Sequence, residues 1–138
     1  MNPLPHIGDV VCAIIERDGA FLITQRAEGR RLALKWEFPG GKVEKGESHA
    51  EALHRELREE LGVKVAITRQ LTPVIHAYED FSLRLIPFLC TLLSGEPVLY
   101  EHRALAWISP AAIDAYDFPE ADLPVLDEYR IIHAASMP

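Results

Sequence analysis

The sequence predicts an α+β fold, a few helices packed on a mixed β-sheet. Three observations predict it. Short apolar, β-branched runs recur along the chain, one strongly amphipathic helical stretch interrupts them, and a second helical stretch follows the last of them. Size and composition agree. A chain of 138 residues is enough for one domain with its own core, expected over 1–138. With 49% hydrophobic and 25% charged residues, it is too apolar for disorder.

The elements follow in order. "VVCAIIE" (Val10–Glu16) and "AFLITQR" (Ala20–Arg26) read as strands, and Asp18-Gly19 between them is a tight-turn signal, so they form a hairpin. Arg30–Trp36 is a basic, irregular loop. "FPGGKVEKGE" (Phe38–Glu47) follows, with glycines that allow tight turns and close backbone approach to a ligand. Ser48 opens a helix through the capping box Ser48-x-x-Glu51, and Gly62 is its left-handed stop. Ala50, Leu53, Leu57 and Leu61 form its apolar stripe. "VKVAI" (Val63–Ile67) is a strand. "LTPVIHAY" (Leu71–Tyr78) pairs with "SLRLIPFLCTLL" (Ser82–Leu93) around Glu79-Asp80, and Pro87 places the second of these at an edge or a bulge. "ALAWI" (Ala104–Ile108) is a short strand. Ser109 then caps a short helix with Pro110 in its first turn, and a last helix runs from Leu123 to Ala135.

Charge and cysteine usage exclude several classes. A net charge of -7 leaves no global basic footprint, so no nucleic-acid polymer is expected as partner. Cys12 and Cys90 sit in apolar runs without metal or redox spacing and read as buried core residues. The opening "MNPLPHIGD" has neither the basic nor the apolar region of a signal peptide, and no run is long enough to span a membrane. A cytoplasmic protein without a membrane partner is expected, and no feature requires more than a monomer or homodimer.

The stretch that carries chemistry is the helix after Ser48. Glu56 neighbours both Glu59 and Glu60 on its surface, near a C-terminal end that the helix dipole already makes negative. Arg55 and Arg58 relieve part of this repulsion. Glu56 and Glu60 flank the leucine stripe and so lie close to the protein body, where repulsion is less screened. Clustered carboxylates of this kind suit Mg²⁺, Mn²⁺ or Ca²⁺; Mg²⁺, with Mn²⁺ as a substitute, is expected, since Mg²⁺ keeps positions free for water and phosphate.

Written out, the stretch is Gly41, five residues, Glu47, seven residues, Arg55-Glu56-Leu57, one residue, Glu59-Glu60, one residue, Gly62-Val63. This resembles the Nudix box (residues 41–63) at every defined position, a chance on the order of 10⁻⁹ per start from average residue usage. The resemblance implies a Nudix fold, a mixed sheet sandwiched between helices with the box as loop–helix–loop. It implies an enzyme that hydrolyses a nucleoside diphosphate linked to another group. "WEFPGGKVE" and "DFPEADLPVL" look like the MutT branch, which removes oxidised guanine nucleotides. "EHRALAW" with "EADLPVL" looks equally like the bacterial CTP pyrophosphohydrolases.

By that resemblance, the metal ligands are Glu56, Glu59, Glu60 and the carbonyl of Gly40, with Glu101 as a further carboxylate near the metal. Glu47 and Arg55 brace the box. A box glutamate, Glu56 or Glu59, is the favoured general base, with Glu101 as the rival. Arg26 matches a residue near the nucleotide. Phe38 lines the base pocket or belongs to the core, and Tyr78 stacks on a base or is a cross-strand aromatic. Asp122 stands where the MutT branch has an asparagine that reads the purine edge. Ionised, it only accepts hydrogen bonds, and a raised pKa is needed for it to donate as well. Its structural alternative is a cap on the last helix. His49, His54, His76 and His102 read as surface or ordinary core residues.

The expected activity is Mg²⁺-dependent hydrolysis of a nucleoside triphosphate to monophosphate and pyrophosphate, with 8-oxo-dGTP as lead substrate and CTP or a modified dCTP as the alternative. An intact box argues against a nucleotide-sensing module that has lost catalysis. The short chain and MutT-like ends argue against ADP-ribose or dinucleotide hydrolysis.

Overall fold

The computed structural model describes residues 6–136. The outermost residues of the expected 1–138 domain, and most of the opening segment read for a signal peptide, lie outside them. Among the described residues, eight strands form one mixed sheet. β1 (His6–Arg17) turns through Asp18 and Gly19, both at positive φ, into β2 (Ala20–Gln25), as the hairpin signal required. The two arms pair only at Glu16↔Phe21 and Arg17↔Ala20. Beyond that they separate, and residues 36–42 fill the wedge. β3 (Trp36–Glu37) pairs with β2, and β4 (Gly40–Lys42) pairs with β1. Ala13 N–H donates to the Pro39 carbonyl between these pairings, at 2.9 Å. The wedge brings the glycine loop into the middle of the sheet.

α1 (His49–Leu61) has the expected ends. Ser48 and Glu51 complete a capping box, and Gly62 closes the helix at φ 70°. Leu53, Leu57 and Leu61 are fully buried, each removing apolar surface worth about 1.5–3 kcal/mol. Ala50 is only half-buried, and Ala52 completes the inward face instead. β5 (Lys64–Gln70) and β6 (Val74–Ala77) both run antiparallel to the long β7 (Ser82–Ser94). β8 (Ala104–Ile108) pairs along β2.

β7 is no edge strand. It lies parallel to β1 on one side and carries β5 and β6 on the other. The edge expected from Pro87 is therefore corrected. Pro87 falls between the β5 pairing, which ends at Gln70↔Phe88, and the β6 pairing, which begins at Val74↔Leu85. Its carbonyl accepts from Leu71 in that gap, and its missing N–H points the same way, so no regular ladder bond is lost. The helix after Ser109 is a 3₁₀ turn, Pro110–Ala115, and the Ser109 hydroxyl makes no cap bond. A further 3₁₀ turn, Glu120–Asp122, leads into α2 (Leu123–Ser136).

Strand alternation divides the core into two. Val11, Ala13 and Ile15 face α1 with Leu22, Ile86 and Cys90. Cys12 and Ile14 face the other way, toward Phe21, Phe38, Leu126 and Tyr129. The sheet is thus sandwiched between α1 and α2, and Cys12 and Cys90 are buried free thiols in different cores.

Candidate active site

Where α1, the glycine loop and the rim before β8 meet, a cavity of about 430 Å³ opens. Its acidic end is lined by Gly40, Gly41, Glu56, Glu60 and Glu101. The glycines matter there. A Cβ at Gly40 would overlap the Val11 carbonyl, and one at Gly41 would overlap the Glu56 carboxyl group. At Gly40 only bare backbone lets the loop lie this close to β1, and at Gly41 a side chain would displace the Glu56 carboxyl group.

Arg55 holds this end together. It is half-buried on α1, not an exposed helix arginine, and its Nε and Nη2 reach the Glu47 carboxylate at 2.6 and 3.0 Å. Nη2 also donates to the Lys42 carbonyl at 3.0 Å, and Nη1 reaches Glu56 at 2.8 Å and Glu59 at 3.2 Å. One planar fork thereby ties loop, helix and carboxylates into one unit. Hydrogen bonds from Arg55 hold Glu47 below the usual carboxylate range.

The glutamates divide by exposure. Glu60 is 5% exposed, with Oε2 buried and unpartnered. Burial, then the adjoining Glu56, Glu37 and Glu101, push its carboxyl up to about 10. Glu56 is half-buried beside it, whereas the Glu59 side chain is 55% exposed and turned to Arg55, outside the cavity lining. Among the described residues, no three His, Cys, Asp or Glu side chains form a ready-made metal cage. The donor set nonetheless fits a hard divalent cation. It offers carboxylate and carbonyl oxygens, one of them a buried oxygen without a partner, in a crowd of like charge that a cation would relieve.

The other end is aromatic. Phe38 is both things the sequence left open, packed against Phe21 and Phe118 at 6.1 and 6.0 Å and lining the cavity. Tyr78 also lines it. Its hydroxyl accepts from Ala121 N–H at 2.9 Å, and its ring lies 4.9 Å from Phe81. Arg26, just past β2, does not point a free guanidinium at the cavity. Its Nη1 alone reaches both Glu37 carboxylate oxygens, at 3.1 and 3.2 Å, and its Nε donates to the Arg31 carbonyl. Asp122 is 7% exposed, makes no cap bond to α2, and leaves Oδ2 buried without a partner. The capping alternative is thereby corrected. Burial first and then Glu37 raise the Asp122 carboxyl well above the carboxylate range, opposed by Arg26.

A NUDIX domain profile matches residues 10–128. The chain belongs to the Nudix family. It is 39% identical over 127 residues to the CTP pyrophosphohydrolase of Escherichia coli K12, covering 92% of this chain and 94% of that one. It is 38% identical over 125 residues to the 8-oxo-dGTP diphosphatase of Haemophilus influenzae, covering 85% and 87%. Among solved structures, the E. coli ORF135 protein superposes with a TM-score of 0.80 at 37% identity, covering 96% and 94%. A MutT protein from Methanosarcina mazei Go1 superposes with 0.83 at 28%, covering 94% and 96%. The Nudix fold expected from the box is thus present, and this Nudix chain is a hydrolase.

Two residues of the Nudix cavity escaped the sequence reading. Glu37 belongs to a strand of two residues, too short to show a period. His102 had no ligand-like spacing to any other histidine, and only its place beside Glu101 pointed to the site. The other histidines do lie outside the cavity lining. His49 meets Asp9 at 3.0 Å, His76 meets Glu120 at 3.2 Å, and His54 is exposed.

Proposed function

We propose that this single domain, residues 1–138, is a cytoplasmic, Mg²⁺-dependent nucleoside triphosphate pyrophosphohydrolase that clears oxidised nucleotides, with 8-oxo-dGTP as lead substrate. The observation that carries this is one cavity with an acidic end for a cation and triphosphate and an aromatic end for a base. Glu56, Glu60 and the Gly40 carbonyl, with Glu59 and Glu101 at the rim, would hold Mg²⁺, or Mn²⁺ in its place. A divalent cation held there would supply charge to screen the phosphate oxygens and would acidify water.

The residues do the rest. A carboxylate, Glu56 or Glu59 with Glu101 as rival, takes the proton of the attacking water. Arg55 and Glu47 keep those carboxylates fixed to the loop. Water adds to a phosphorus of the anhydride, and the broken P–O bond leaves nucleoside monophosphate and pyrophosphate. Phe38 and Tyr78 offer apolar faces to the base, and Arg26 braces Glu37 beside it. A protonated Asp122 donates and accepts, as an asparagine does, which suits a purine edge. Its bare oxygen also supports the second reading, CTP or a modified dCTP, whose exocyclic amine would donate to it.

The test is pyrophosphate release with Mg²⁺ across 8-oxo-dGTP, dGTP, CTP, 5-methyl-dCTP and ADP-ribose, compared by kcat/KM. Preference for 8-oxo-dGTP over dGTP supports sanitation, and preference for cytidine nucleotides selects the second reading. No activity on any of them would leave a sensing module.

A further inference from the structure

His102 lies between the two ends of the cavity. Its side chain is 10% exposed, and Nε2 stands 3.4 Å from Glu37 Oε1 and 3.4 Å from Glu60 Oε2. These carboxylates come from different elements, β3 and α1. Glu37 belongs to the base end, since it pairs with Arg26 and lies close enough to influence Asp122. Glu60 belongs to the acidic end, beside Glu56. Both are acceptors when ionised, and an imidazole N–H is a donor. At 3.4 Å neither approach closes into a hydrogen bond, so Glu60 Oε2, like His102 Nδ1, is buried without a hydrogen-bond partner. The tautomer that fits carries its proton on Nε2, aimed between the two carboxylates, and leaves Nδ1 bare.

We propose that His102 is a positioning residue. Its imidazole, within 3.4 Å of both, fixes where the Glu60 carboxyl group lies and links it to Glu37, so that a base seated against Glu37 is felt at the cation-holding end. The inference rests on the cation-dependent reaction proposed above. It explains why a histidine lies buried among acidic side chains: one donor in that gap faces two carboxyl groups brought together from β3 and α1. Groups that orient a metal-holding side chain typically change affinity or rate by 10–100-fold when removed.

The test compares His102→Leu, His102→Gln and His102→Asn. Mn²⁺ binding is measured by electron paramagnetic resonance without nucleotide, and kcat and KM are measured with Mg²⁺ and the preferred triphosphate. His102→Leu is expected to weaken Mn²⁺ binding about tenfold and to lower kcat more than it raises KM. Glutamine places an amide N–H near the Nε2 position and is expected to restore most of both. Asparagine places it nearer Nδ1 and is expected to behave like leucine. Glu37→Gln should weaken Mn²⁺ binding in the unsubstituted protein and add little in the His102→Leu background, because the link is already cut. Unchanged Mn²⁺ affinity and kcat in His102→Leu overturns the inference and leaves the proposed activity standing. Equal rescue by asparagine also overturns it, since polarity alone then suffices. Failure of the unsubstituted protein to bind Mn²⁺ overturns both.

Discussion

The two ends of the cavity are built in opposite ways. The acidic end comes chiefly from one continuous stretch, Gly40 to Glu60, and is clamped by one arginine. The aromatic end gathers Arg26, Phe38, Tyr78 and Asp122 from distant parts of the chain, the first three at or between strand ends and Asp122 from the 3₁₀ turn before α2. A contiguous, charge-fixed end suits chemistry that does not change with substrate. A dispersed end can be altered one residue at a time, which suits a choice of base. Breaking the first should abolish turnover, and altering the second should redirect it.

The largest effect is expected at Glu56. Glu56→Gln keeps the shape and removes one charge beside Glu60. It should lower kcat by about a thousandfold, the range of a lost acid–base group or more, while the thermal midpoint stays level or rises as repulsion is relieved. Turnover within tenfold of the unsubstituted protein would remove Glu56 from the site. Next comes Arg55→Ala, which frees loop from helix. A carboxylate displaced by about 1 Å costs roughly a hundredfold in kcat/KM. Arg55→Lys should recover little, because an ammonium cannot span Glu47, Lys42 and Glu56 together. Full rescue by lysine would show that charge alone, not the fork, does the holding.

The same contrast governs what was legible in the sequence. The hairpin, the capping box, the leucine stripe and the Arg55–Glu47 pairing could be read because their partners are near in sequence or fixed by a spaced motif. Pro87 misled because the gap between β5 and β6 depends on two other strands. The Ser109 cap misled because local propensity was met by a tighter 3₁₀ turn. Glu37 and His102 stayed silent for a related reason. Their significance lies in two distances, His102 to Glu37 and His102 to Glu60, set by the wedge between β1 and β2 and by the approach to β8, and no local pattern encodes them.

Asp122→Asn probes the aromatic end with a moderate effect. It should reorder the bases by several-fold while leaving the rate on the best substrate nearly unchanged. A second readout separates it from a structural change. The folded Asp122 holds its proton to higher pH than an unfolded aspartate does, so the native state binds more protons between those two values. Stability must then fall as pH rises through that window, by at most about 1.4 kcal/mol per pH unit. The substituting asparagine does not titrate, so the variant's thermal midpoint should gain on the parent's from about pH 4 upward. A constant margin across pH would mean that Asp122 ionises as freely in the fold as outside it.

The smallest effect belongs to the loop that covers the aromatic end. Leu32 and Leu34 both sit at positive φ, 55° and 65°, which costs non-glycine residues about 1–2 kcal/mol each. Backbone bonds from Arg26 and Lys35, and the Gln25 amide on the Leu34 carbonyl, hold the loop in that shape. Its outer tie is the Arg31 guanidinium, 4.6 Å over the Phe81 ring across the cavity mouth. A contact of this kind is worth about 0.5–1 kcal/mol where exposed. Arg31→Ala should therefore raise KM by about two- to fivefold for every base alike and leave kcat unchanged, since the acidic end keeps its own clamp. A base-dependent change would instead make Arg31 part of the reading face, and a drop in kcat would mean that the loop also acts on the acidic end.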